Sequence, residues 1–574
     1  MPFKQAKWGE KNLKIVRDNY VPIHVADSGI VEEDILVRPG ITSPRTALFQ
    51  TGRGRRQTSF TILTNIETFH EIENDFATAT IRLFEGIEDE SMSGVIINFE
   101  PQLYLFNTFI FVNLTIIEAS HDEIIPWEDA QEEDPSDTPY ELIDVPEGDP
   151  IITEVPNGWE PIYSFEDLQK LEDDKNGNFI LMANIDAAIT HEAGFNNGLG
   201  WEPIGTQEEP FQGNINGNGL GVYNLYINNP TETNVGFIGC GENVNIEDLD
   251  ILNANCLNQN AGFSERTGGL IARLLNSTIK NCDITGNING NVGAGGVVGT
   301  TEDCIFERVN FSGDVAGSQN VGGLVGYYID GTIEKCFANA KTKGRMRVGG
   351  LIGQFQGESV KFCVSKGEVA TPEGEHSTVE HLGGFFGECR NPNVKDCYTK
   401  ADINVVDAES VGGFCGSVTG VPSLDFIERC FASNVVNASG ESKNVGGFIG
   451  LIDSNRYDFK NCYAVCFITG NNYVGGFTGN DDEPAEYINC FAVSTILPSD
   501  EPVHAFTNDA DGNSYGLFYD SDETSQTDEH ADGKTTAQMK SQATFTTYDF
   551  QEVWDIDEGE SYPYLRSLEN IFEE

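Results

Sequence analysis

Basic residues are scarce in this chain: 34 Lys and Arg stand against 91 Asp and Glu, a formal charge of −57 over 574 residues. Contacts to phosphate need clustered Lys and Arg, so the balance argues against nucleic acid or an anionic membrane as partner. Long apolar runs are missing as well. No stretch approaches about 18 consecutive apolar residues, so no membrane-spanning helix is expected. Met1-Pro2-Phe3-Lys4 is followed by no apolar h-region, which predicts folding in the host cytoplasm even where the protein acts outside a cell. Cys-x-x-Cys pairs do not occur and the 8 histidines are scattered, which speaks against zinc. The sequence also contains no Gly-x-Ser-x-Gly, phosphate loop or His-Glu-x-x-His. Helix-forming signals are weak, while Gly, Asn, Thr, Val, Ile and Phe are plentiful, so a mainly β chain is expected. Such acidity keeps a protein solvated and unaggregated, and points to a halophilic source or to display far from any base.

What the chain does have is a repeat. Val321-Gly322-Gly323-Leu324-Val325-Gly326 returns as 348–353, 382–387, 411–416, 445–450 and 474–479, with weaker copies near Gly268 and Gly295. Counted from the first glycine of each pair, the steps are 27, 27, 27, 34, 29, 34 and 29 residues. Ile333-Glu334-Lys335-Cys336-Phe337 recurs with it, and its cysteine falls 14 residues after Gly268, Gly322, Gly349 and Gly383. A fixed register of this kind marks a solenoid whose coils bury apolar faces only against one another. Gly-Gly supplies a corner or a close backbone approach. Leu324, Leu351, Phe385, Phe414, Phe448 and Phe477 should stack as one interior column, and the cysteines as a second. Stacked strands lie about 4.8 Å apart with parallel Cβ vectors, whereas a disulfide needs Cβ atoms near about 3.8 Å and facing each other. Most of the 13 cysteines therefore read as buried free thiols.

Residues 1–121 hold 11 of the 34 basic residues, including Arg53, Arg55 and Arg56. Strands are expected over 58–64, 95–99 and 109–118, and helical spacing from the cap candidate Asn65 to about Leu83. Through Gly52-Arg53-Gly54-Arg55-Arg56, Thr58-Ser59-Phe60 and the closing strand into Glu118-Ala119, this unit resembles tail and baseplate adaptor domains of tailed viruses. That resemblance implies docking on virion tail or baseplate proteins, with the three arginines as docking candidates because guanidinium forks hold carboxylates well. An ordinary solvated face explains them equally. Residues 122–149 carry 12 acids, no Lys or Arg and prolines at 126, 135, 139 and 146, so 122–158 reads as an extended acidic linker.

From Trp159 the character changes. Ser164-Phe165-Glu166-Asp167 has capping-box spacing, with Leu168 and Leu171 as an apolar face. Phe165-Glu166-Asp167-Leu168 through Gly219, Val235-Gly236-Phe237-Ile238-Gly239, the Gly-Gly repeats, Thr535 to Ser541, Val553-Trp554 and Tyr562-Pro563-Tyr564-Leu565 together resemble GLUG-motif proteins, surface adhesins and related β-helical proteins. The resemblance spans about 159–567. It implies a right-handed parallel β-helix and no particular catalytic residues. On this reading 159–230 caps the helix, 231–495 forms the repeats and 496–574 caps the far end, with Trp554 and Tyr564 as covering aromatics.

Candidate chemistry lies where coils run long. The interval between Cys363 and Gly383 has 7 residues more than that between Cys336 and Gly349, and it carries Glu373, Glu375, His376, Glu380 and His381. Carboxylates beside histidines on a projecting loop suit host binding, acid–base work or cation capture; a solvated loop is the plainer account. Asp509, Asp511 and Asn513 resemble the middle of a calcium loop that lacks its first and twelfth ligands, so calcium competes with a polar turn. The expected function is attachment: a virion protein of a tailed virus, exposed on the tail and homo-oligomeric in the particle, meeting a host surface glycan or glycoprotein through the β-helix. A tailspike-like polysaccharide hydrolase or lyase is the first alternative, a cellular adhesin the second. No enzyme activity is expected.

Overall fold

A computed structural model describes residues 142–568, apart from 231–232, 259–264, 373–378, 391–392, 421–425, 454–456, 483–484, 498–502 and 525, together with the backbone of the strands before residue 119. The chain divides into two units, Met1–Tyr140 and Glu141–Glu574.

The first unit contains an antiparallel sheet of seven strands, in the order Lys11–Val16, Phe3–Trp8, Arg82–Glu85, Ser91–Phe106, Phe109–Glu118, Arg56–Asn65 and Val21–Val25. Lys11–Val16 also pairs with Arg56–Asn65, so the sheet closes on itself and hides most of its edges. All three expected strands are present. Asn65 ends a strand, and Arg82 and Leu83 pair with Gly94 and Ser93 as strand residues. The helical spacing therefore stops short of Leu83; residues 66–81 lie outside the described residues.

The second unit is a parallel β-solenoid of about nine turns between residues 214 and 519. Its coils form one sheet of 29 strands and a second of 10. Parallel stacking begins before residue 214, because Glu160–Ile162 pairs with Asn178–Leu181 and that strand with Asn214–Tyr223. The predicted short helix is Phe165–Leu168, where Ser164 Oγ accepts from Asp167 N and Leu168 is buried. Part of the acidic linker lies along the solenoid. Asn224 exchanges two hydrogen bonds with the backbone of Ile143, and Asn218 does the same with Ile152, so two side-chain amides stand in for a neighbouring strand.

Inside, the two expected columns are present. Phe385, Phe414, Phe448, Phe477 and Phe506 stack with ring centroids 4.7 to 4.8 Å apart, the interval between parallel strands. All 13 cysteines are free and buried. The thiols also bond: Val309 N donates to Cys336 Sγ, Cys336 N to Cys363 Sγ and Cys363 N to Cys397 Sγ, each at 3.4 Å. One residue before each of these cysteines the backbone turns left-handed, at Lys335 (φ 54°), Phe362 (φ 54°) and Asp396 (φ 55°). The turn tips the next N–H out of the strand ladder, and the sulfur of the following coil receives it.

The Gly-Gly pairs serve close approach, and the corner lies elsewhere. A Cβ on Gly322 would sit 2.0 Å from Val325 O, and one on Gly323 2.1 Å from Gly350 O. The left-handed residue comes two positions before the pair, at Asn320, Arg347, His381, Ser410, Asn444 and Tyr473.

Candidate functional site

That left-handed column runs along the solenoid beside a second one, to which Arg347 is tied through Glu388. The second column is the strand register Arg273, Thr300, Tyr327, Gln354, Glu388, Ser417, Leu451 and Asn480. Both columns belong to otherwise apolar strands that line the core, yet nearly every side chain on them is polar. At their N-terminal end the columns border a notch of about 200 Å³. Arg266, Asn320 and Glu265 line one side of it, and Arg273, Thr300 and Tyr327 the other.

Two coils further on, Glu388 is 2% exposed and lies between two guanidinium groups. Arg347 Nε donates to its Oε2 at 2.6 Å and Arg390 Nε to its Oε1 at 2.5 Å. Gln354 Nε2 and Thr419 Oγ1 each add a bond to Oε1 at 3.3 Å. Burial alone would raise the carboxyl's pKa, but the two Arg hydrogen bonds outweigh it and hold Glu388 below the usual glutamate range. Such a carboxylate is fully occupied: it holds two arginines in place and is a poor general acid.

His381 is the expected candidate that reaches this cluster. It occupies the left-handed corner (φ 59°), with Nε2 3.8 Å from Glu380 Oε2. Its Nδ1 is buried without a hydrogen-bond partner. Burial lowers its pKa in spite of the charges of Glu388 and Glu380, so the neutral imidazole is favoured. Glu380 begins the strand Glu380–Gly383, half-buried. Glu373, Glu375 and His376 lie outside the described residues, as do Arg53 and Arg55; Arg56 opens the strand Arg56–Asn65 opposite Val25.

Asp509, Asp511 and Asn513 form a turn. Asp509 Oδ1 accepts from Ala510 N and Asp511 Oδ1 from Asn513 N, both at 2.8 Å. These carboxylates are engaged by their own backbone, and no group of three acidic, His or Cys side chains is positioned to hold a metal ion among the described residues. Sequence reasoning passed over Arg347, Glu388, Arg390, Arg266 and Arg273. Aligning the repeats by register would have exposed Arg347 and Glu388, which hold positions that most other coils give to uncharged side chains.

Residues 317–342 match the model of the family described as the GLUG motif. The match spans one coil, which contains Gly322, Gly323 and Cys336, and their register recurs in the coils around it. The chain is also 33% identical over 153 residues to halomucin of Haloquadratum walsbyi, a match covering 25% of this chain and 2% of that protein. Among solved structures an IgA1 protease aligns over 81% of this chain and 28% of its own, at 11% identity and a TM-score of 0.23, too low to bear on fold or function.

Proposed function

We propose that the protein is an adhesin-like attachment rod that works at an outer surface in salty surroundings and binds without cleaving. The carrying observation is the solenoid itself, a ladder of coils that repeat the register of the GLUG-matched one, with two polar columns along it. Glu388, a buried carboxylate of the polar columns, is neutralised by Arg347 and Arg390 instead of being poised for acid–base work. The match to a stretch of halomucin supports the surface setting, and the charge of −57 suits high salt. The finer reading mounts the rod on a tailed virus. The closed sheet of Met1–Tyr140 would dock on tail or baseplate proteins, Arg53, Arg55 and Arg56 would contribute, and several copies would meet a host glycan or glycoprotein.

Antibody labelling of the full chain in electron micrographs tests both levels. Label on virus tails supports the virion reading, label on cell envelopes supports a cellular adhesin, and label confined to the cell interior overturns the attachment role. Incubation with host surface glycan should release no new reducing ends; measurable release would make the protein a depolymerase.

A further inference from the structure

We infer that Asn276 is a glycosylation site, its side-chain amide joined to a sugar activated at the anomeric carbon as a phosphate ester. This goes beyond the attachment reading and holds wherever the rod is mounted. The triplet Asn-x-Ser/Thr that sugar transferases recognise, with x other than proline, occurs at Asn113, Asn276, Asn310 and Asn437. The structure separates them. Asn276 is exposed at a left-handed corner (φ 48°), and its amide has no hydrogen-bond partner among the described residues. Asn310 Nδ2 donates to Asp283 Oδ1 at 2.7 Å, and its own Oδ1 is buried. Asn437 lies between coils: its Nδ2 donates to Asn404 Oδ1 at 3.5 Å and its Oδ1 accepts from Thr469 Oγ1 at 2.8 Å. Asn113 sits mid-sheet, paired with Thr61 on one side and Glu100 on the other.

A turn alone explains an asparagine here, but not the rest of the triplet. Asn243, Asp303 and Asp330 hold the same corner in neighbouring coils, with φ of 57°, 55° and 48°, as suits short polar side chains in the left-handed region. Asn243, the other asparagine among them, is followed by Val244 and Asn245. Ser277 serves the fold, since its Oγ accepts from Val244 N and donates to Leu275 O. Thr278 does not. It is half-buried at the start of the strand Thr278–Asn289, and its hydroxyl bonds nothing among the described residues. The hydroxyl that the fold leaves unused is the one that completes the recognition triplet. In the transfer Nδ2 attacks the anomeric carbon, a C–N bond forms, the C–O bond to phosphate breaks, and the phosphate leaves with the electron pair. One amide proton passes to a base of the transferase, so the side chain stays neutral and acidic neighbours such as Asp303 pose no bar. A sugar here stands off the corner into solvent; at Asn310 or Asn437 it would displace bonds between coils.

The test is glycopeptide mass spectrometry on the full chain isolated from the cells or particles that carry it. Sugar on the peptide of Asn276, with none at Asn310 or Asn437, supports the site. A bare Asn276, or sugar at Asn310 or Asn437, overturns it. A single added hexose identifies a nucleotide-activated sugar as donor and a preassembled oligosaccharide a lipid-phosphate-activated one; both support the site. Thr278→Val, made in the same cells, should lose the sugar entirely, with a melting temperature equal to that of the enzymatically deglycosylated chain. Sugar retained on folded Thr278→Val would mean another linkage and overturns the proposal. Should that variant fail to fold, Asn276→Asp decides. Aspartate already holds this corner at Asp303 and Asp330, so the chain should fold and carry no sugar there; sugar that persists on that peptide overturns the site. Localisation is read separately in micrographs, so a rod on an outer surface with Asn276 bare overturns the modification and leaves the attachment reading standing.

Discussion

Ser567 Oγ donates a 2.6 Å hydrogen bond to Asp396 Oδ1 across 171 residues of sequence. The contact shows where the C-terminal segment runs. It turns back along the side of the solenoid and covers an outer ladder of rings. Tyr398, Phe431, Tyr463 and Phe491 stack at 4.7 to 4.9 Å, and Trp554 lies over Tyr463 and Phe491 at 5.9 and 5.8 Å. Trp554 Nε1 also bonds Asn461 Oδ1, which anchors the strap across 93 residues.

Trp554→Ala should therefore destabilise the second unit by about 3–5 kcal/mol, the cost of emptying a fully buried aromatic site. Ser567→Ala removes one neutral-to-charged hydrogen bond beside a second donor, Arg429, and should cost no more than about 1–2 kcal/mol. Chemical denaturation followed by tryptophan fluorescence checks the order; equal effects would mean that the strap adds little to the ladder.

The cysteine column makes a second prediction. Every thiol is buried, and burial raises the pKa of Cys336, Cys363, Cys430 and Cys490, so these four stay protonated at neutral pH and all 13 are shielded from reagents in solution. A thiol reagent should leave the folded protein unmodified and label all 13 cysteines once it is denatured. Cys363→Ala should cost about 1–3 kcal/mol, because it strands the buried N–H of Cys336. Rapid labelling without denaturant would contradict the column.

The interior columns were legible in the sequence because a period of 27 to 34 residues places equivalent side chains at one spot in every coil. The left-handed corners were not. Their occupants, Asn320, Arg347, His381, Ser410, Asn444 and Tyr473, share polarity but no single residue type, since the glycines that follow provide the close approach. The cluster of Arg347, Glu388 and Arg390 was missed for the same reason. It is read only across coils, and of the residues singled out in the long interval only Glu380 and His381 are described near it. The strap was half legible: Trp554 and Tyr564 marked a cover, and only folding shows that Trp554 lies over the outer ring ladder.

Glu388→Ala should be among the most damaging single changes, by about 3–5 kcal/mol, because it leaves Arg347 and Arg390 facing each other with no counter-charge between them. Glu388→Gln keeps the shape and one acceptor and should cost less. The folded pKa of Glu388 is depressed, so its contribution is present above the ordinary glutamate value of 4.5 and fades as pH falls through the lower folded value. Melting curves below pH 4.5 should thus converge for the native chain and Glu388→Gln; a gap that stays constant would remove the ion pairs from the account.

Asp481 carries the opposite sign. It is 4% exposed, with Tyr487 Oη donating to its Oδ2 at 2.8 Å and Oδ1 left without a partner. Burial outweighs the Tyr487 bond and raises its pKa from 3.8 to about 8. An acid whose folded pKa is raised favours folding most fully below its unfolded value; stability is lost as pH climbs from about 4 and levels off above about 8. Asp481→Asn keeps a hydrogen-bonding side chain of the same shape and cannot ionise. Its stability should exceed that of the native chain at pH 8, with the advantage shrinking steadily toward pH 4. Denaturation midpoints of both proteins across that interval measure the difference directly, and parallel curves would show that Asp481 keeps its charge in the folded state.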